Sequence, residues 1–113
     1  MRGLSTALML CLLAGTAQAA SPSDGARAAM QRAGCGACHV IPGVTGASGL
    51  AGPPLTGVGR RVYLAGVLPN TPANMALWVS RPQSVLKGNT MPDQKRMTPD
   101  EAAAIAAYLE TLR

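Results

Sequence analysis

The sequence predicts an all-α domain with long irregular loops, and three observations predict it. Thr71-Pro72 and Thr98-Pro99 each put a helix-capping threonine before a proline suited to the first helical position. The apolar residues that follow recur at helical spacing, and no stretch alternates apolar and polar residues as a strand does. The segments between them are dense in glycine and proline, which marks loops.

The chain has 113 residues, enough for one domain. Met1 and Arg2 precede an uncharged apolar run, Leu4 to Leu13, and small residues ending in Ala17-Gln18-Ala19. This reads as a secretory signal peptide cleaved after Ala19, with the domain in residues 20–113 and an exported, periplasmic location. The apolar run falls short of the roughly 20 residues a membrane-spanning helix needs. Cys11 lies inside it and reads as a small apolar residue of the signal, since the residues before it are not the small ones of a lipoprotein site.

After the signal, Ser21-Pro22 and Ser23-Asp24 offer helix starts. A short helix is expected from about Asp24 to Ala33, with Ala26, Ala29, Met30 and Ala33 on one face and Gly34 as its stop. Residues 40–59 read as loop, and Tyr63 to Leu68 as turn or short helix. A second helix should run from Thr71 to about Arg81, where Pro82 ends it, with Met75, Trp78 and Val79 on one face. Residues 82–97 read as loop again. Thr98-Pro99-Asp100-Glu101 is a capping box that opens a last helix running to about Leu112. Its apolar stripe is Ala102, Ile105, Ala106, Leu109 and Leu112.

Two bulk properties narrow the function. Aromatic residues are scarce, with one Trp, two Tyr and no Phe. So thin a core is usually completed by a metal, a disulfide or a cofactor. The ten Lys and Arg fall to nine without Arg2, against five Asp and Glu. These basic residues are scattered, with no run and no aromatic ladder for nucleic acid, so an acidic protein surface or a membrane surface suits them better.

The chemistry is concentrated in Gly34-Cys35-Gly36-Ala37-Cys38-His39. A disulfide between Cys35 and Cys38 would close too small a loop to staple a fold. A redox pair would need a strand–helix sheet that the sequence lacks. Zinc would need two further Cys or His donors, and His39 is the one histidine of the chain. Covalent attachment of one haem c uses what is present: each thiol adds to a vinyl group, and the adjacent histidine reaches the iron.

A bis-histidine haem is therefore excluded within this chain, and methionine is the expected sixth ligand. Met30 and Met75 sit at helical spacing and read as core. Met91 stands in a proline-pinned loop, Gly88-Asn89-Thr90-Met91-Pro92, and is the favoured ligand. Met97 is the alternative, or else packs on the last helix as its staple.

These features, with Gly52-Pro53-Pro54-Leu55 and Tyr108-Leu109, resemble a class I cytochrome c over essentially the whole chain after the signal. Asn70-Thr71-Pro72, Trp78, Arg81-Pro82-Gln83 and Lys87-Gly88-Asn89 resemble more particularly the cytochrome c domain fused to subunit II of some haem–copper oxidases. The resemblance implies three to four helices and long loops wrapped around one haem. It implies that the Pro53 carbonyl accepts the ring N–H of His39, that Leu55 lines the haem pocket, and that Trp78 and one of Arg60 or Arg61 lie near the propionates. It also implies a departure: Met30 stands where the family usually has an aromatic facing the last helix.

The function expected is single-electron transfer between respiratory partners. The partner would be a membrane respiratory complex such as a terminal oxidase or a dehydrogenase, with no small-molecule substrate and no nucleic acid. The alternative is a haem enzyme or gas-binding protein with a labile sixth ligand. A third reading, a haem-free module with a local disulfide, is discriminated by colour.

Overall fold

The computed structural model describes Gly15 and residues 21–113. The signal-peptide reading and Cys11 lie outside the described residues. Four helices, α1 (Pro22–Ala33), α2 (Pro72–Ser80), α3 (Pro82–Val85) and α4 (Pro99–Glu110), carry the fold. Between α1 and α2 lie two single 3-10 turns, Cys35–Ala37 and Val58–Arg60, and a small hairpin of β1 (Tyr63–Leu64) and β2 (Leu68–Pro69).

The helix ends follow from the residues placed there. Ser21 caps α1 and Thr98 caps α4, each in a complete capping box with Asp24 and Glu101, and Thr71 caps α2 through the N–H of Asn74. Each of the three has proline in its first turn, where the missing N–H costs nothing. Gly34 closes α1 at φ 74°, a left-handed cap that lets the chain turn straight into the cysteine motif.

α4 is the central element and packs across both α1 and α2. Their shared core holds Ala26, Ala29 and Met30 of α1, Met75 and Val79 of α2, and Ile105, Ala106, Tyr108 and Leu109 of α4. Met30 and Ile105 are among the fully buried side chains, so the α1–α4 crossing is filled by a flexible thioether where the family resemblance expects a ring. Tyr108 supplies the ring from the other side: its hydroxyl donates to the carbonyl of Pro42 at 2.6 Å, tying α4 to the loop after the motif. Arg27 of α1 lies over the same ring, 5.6 Å from its centre. On the surface, Arg32 of α1 pairs with Glu101 of α4 at 2.9 Å.

Four expectations are corrected. The first helix, expected from about Asp24, starts two residues earlier at Pro22, because Ser21 and not Ser23 is its cap. Residues 63–68, read as turn or short helix, lie in the antiparallel hairpin, with Tyr63 opposite Pro69 and Leu64 opposite Leu68. Its turn carries two positive φ angles, Ala65 at 52° and Gly66 at 73°, and is closed by a bond from the Val67 N–H to the Leu64 carbonyl. The segment after Pro82, read wholly as loop, begins with one helical turn, α3, because proline is a competent first residue. The last helix ends at Glu110, two residues early, with Thr111 as its cap. No helix among the described residues is long and apolar enough to cross a membrane.

Candidate functional site

The left-handed cap at Gly34 leads into a 3-10 turn, Cys35–Ala37, tightened by bonds from the N–H groups of Cys38 and His39 to the Cys35 carbonyl. Both cysteines are free thiols, Cys35 half-buried and Cys38 exposed. Burial pushes the Cys35 thiol above its ordinary pKa. No group of three or more His, Cys, Asp or Glu gathers as a metal site among the described residues, so a zinc site here would lack donors.

His39 is oriented by the loop that follows. Its Nδ1 stands 2.7 Å from the Pro53 carbonyl oxygen. A carbonyl only accepts, so Nδ1 carries the proton in this contact, and in the neutral ring the lone pair is then on Nε2. The Gly52 N–H donates to the Cys38 carbonyl at 2.7 Å, laying this loop along the motif. Leu55 is half-buried against the core, and its N–H donates to the Val40 carbonyl at 2.8 Å. The loop thus docks on both sides of His39. The Pro53 and Pro54 rings are exposed.

The other predicted residues come from α2, the 3-10 turn Val58–Arg60 with its cap Arg61, and the loop after α3. Trp78 is half-buried and packs against the core. Arg61 donates to the Pro54 carbonyl at 3.0 Å, and Arg60 is exposed. Met91 is half-buried in its loop, whose backbone is held by side-chain amides of Gln83 and Asn89. Met97 instead packs against the core and lines a cavity of about 460 Å³ with Ala76, Leu77, Arg81 and Ala102. Neither His39 nor the cysteines line that cavity, so it is separate from the motif.

Sequence reasoning assigned no role to Gln83, Asn89, Gly52 or Asn70. Asn70 donates to the Val58 and Arg61 carbonyls, and its buried Oδ1 has no partner among the described residues. The signal available for all four was their place in the quoted motifs, because Gln83, Asn89 and Asn70 act on backbone atoms that carry no residue identity, and Gly52 acts by having no side chain beside the His39 ring.

The residues fit a covalently attached haem c. Two free thiols flank a tight turn, and an imidazole beside them has its Nδ1 engaged and its Nε2 available. This is the donor set of a thioether-anchored macrocycle with a histidine axial ligand.

The comparisons with known proteins agree. Residues 23–113 match the family model described as cytochrome c. The chain belongs to the cytochrome c family, whose members carry electrons on haem. It is 39% identical over 79 residues to cytochrome c oxidase subunit 2 of Alkalihalophilus pseudofirmus. That stretch is 70% of this chain and 22% of the relative, so the chain spans about a fifth of the relative's length. No solved structure matches.

Proposed function

We propose that this chain is an exported mono-haem c-type cytochrome that carries single electrons between respiratory partners. In this reading Cys35 and Cys38 anchor haem c, and His39 and Met91 are the axial ligands. The observation that carries it is the 2.7 Å contact between His39 Nδ1 and the Pro53 carbonyl, beside two free thiols.

Bound haem supplies a one-electron iron couple, which Met/His ligation sets toward higher potential. The protein's part is to hold the ligands still. The Pro53 carbonyl fixes the tautomer of His39 and makes its Nε2 a better donor. Leu55 and Trp78 present apolar surface that keeps water from the ring. Met91 sits on a loop tied to α3, so its sulfur can be offered from a fixed backbone. Nothing in this arrangement has to bind or release a substrate.

The partner proposed is a membrane respiratory complex. The likeness to an oxidase subunit supports a terminal oxidase. Charge supports an acidic docking face: Arg81, Lys87, Lys95 and Arg96 are all exposed on the segment around Met91, against Asp93 alone.

The test is the optical spectrum of holoprotein exported from a host with haem-attachment machinery, before and after carbon monoxide. A methionine-to-iron charge-transfer band in the oxidised form, no response of the reduced form to carbon monoxide, and loss of that band in Met91→Ala are expected. Ready carbon monoxide binding by the wild-type protein would overturn the carrier reading in favour of a haem enzyme or gas binder. A band that survives in Met91→Ala would move the ligand to Met97.

A further inference from the structure

In the segment from Pro82 to Asp93, the Gln83 side chain spends both of its polar atoms on backbone and makes three bonds. The Gln83 amide nitrogen donates to the carbonyls of Asn89 at 2.7 Å and Met91 at 2.8 Å. Its amide oxygen accepts the Gly88 N–H at 2.9 Å. The Gln83 backbone N–H in turn donates to the Asp93 carboxylate at 2.9 Å. Reversing the amide would set its oxygen against two carbonyls and its NH2 against an N–H, so the orientation is unique.

A second amide completes the clamp. Asn89 Oδ1 accepts the Met91 N–H at 2.7 Å, and its Nδ2 donates to the Leu86 carbonyl at 2.6 Å. Both the N–H and the C=O of Met91 are therefore held by side-chain amides. α3, where Gln83 sits, is fastened at its start by Pro82, which is fully buried. The chain of contacts runs from the core through Pro82 and Gln83 to the Met91 backbone.

We propose that Gln83 is a positioning residue for Met91: it locks the loop so that the methionine sulfur is held at its ligating position and does not swing away. This rests on the reading of Met91 as the axial ligand. A loop of six residues, Gly88 to Asp93, with no regular structure of its own would otherwise sample many conformations. Each would carry the thioether off the iron. Three side-chain bonds from one residue, the two to the Asn89 and Met91 carbonyls part-buried and the one from the Gly88 N–H exposed, oppose that opening.

The test uses the oxidised holoprotein and cyanide, which enters only when the methionine leaves. Gln83→Glu is nearly isosteric, keeps an acceptor for Gly88, and faces the carbonyls of Asn89 and Met91 with oxygen where there were donors. Gln83→Leu removes all three bonds. Tyr108→Phe is the control: it loses the bond to Pro42 and lowers stability away from this loop. The expected result is a cyanide-binding rate at least about tenfold faster in both Gln83 variants, following the loss of two or three bonds. Tyr108→Phe should bind cyanide as the wild type does, although it melts earlier. If the Gln83 variants bind at the wild-type or the Tyr108→Phe rate while Met91→Ala lacks the charge-transfer band, Gln83 has no positioning role and the ligand assignment stands. If Met91→Ala keeps the band, the ligand assignment fails and this proposal falls with it.

Discussion

A Cβ added to Gly52 would run into Cε1 of His39 and lie 2.8 Å from its Nε2. The loop is pressed against the imidazole because the Gly52 N–H bonds to the Cys38 carbonyl on one side and the Pro53 carbonyl holds Nδ1 on the other. Neither backbone can retreat without breaking one of these bonds. Glycine stands here for lack of room.

Gly52→Ala should therefore tilt the His39 ring and cost about 1–3 kcal/mol, the range for overpacking a fitted site. Thermal melts of the holoprotein measure the cost, and a changed reduction potential would report the ring. Gly25 is the contrast. It lies in α1, and a Cβ there meets nothing within 4 Å. Gly25→Ala should raise stability by about 0.5–1 kcal/mol by favouring the helix. Equal effects from the two substitutions would show that the Gly52 contact is not tight.

Tyr108→Phe keeps the ring in the core and removes the hydroxyl that bonds the Pro42 carbonyl. That bond joins residues 66 positions apart, so it fixes the loop after His39 onto α4. Leaving a part-buried carbonyl unpartnered should cost about 1–2 kcal/mol. Denaturant unfolding checks it, and an unchanged midpoint would mean that water replaces the hydroxyl without loss.

Glu101 links the α4 cap to α1. Its carboxylate accepts from Arg32 and from the Thr98 N–H, and these hold its pKa below the ordinary glutamate value, the Arg32 bond first. The folded state thus prefers the charged form. Its contribution is present above the unfolded pKa and is lost as pH falls through the lowered folded value. Melts of Glu101→Ala should show a smaller loss of stability on acidification than the wild type. A parallel loss in both would place the acid sensitivity elsewhere.

How much of this was legible in the sequence depends on what kind of contact each feature makes. The helix starts at Thr71 and Thr98 were legible because each threonine acts on an N–H group three residues away, whereas for α1 the sequence offered both Ser21 and Ser23 and the helix takes the earlier one. The cysteine–histidine motif was legible because its donors are adjacent, and the Pro53 contact was reached through family resemblance. The hairpin was not legible. Each strand is two residues long, and its turn puts Ala65 at a positive φ where asparagine or glycine would be the signal. The work of Gln83 was hidden too, since it bonds carbonyls and an N–H that any residue would supply.

Glu110 ends α4 with its charge near the helix C-terminus, where carbonyl dipoles already oppose an anion. One of its carboxylate oxygens is buried without a partner among the described residues. Burial raises its pKa above the ordinary glutamate value, with Arg113 partly offsetting the shift. The folded state therefore binds this proton more tightly than the unfolded chain does. Between the unfolded and the raised folded pKa, stability falls as pH rises, and above the folded value the full penalty of the charge remains. Glu110→Gln removes the charge and keeps the shape. It should melt later than the wild type at neutral pH, with the difference shrinking as the pH is lowered through that window. A difference that stays constant across the window would mean that the gain comes from packing and not from the charge.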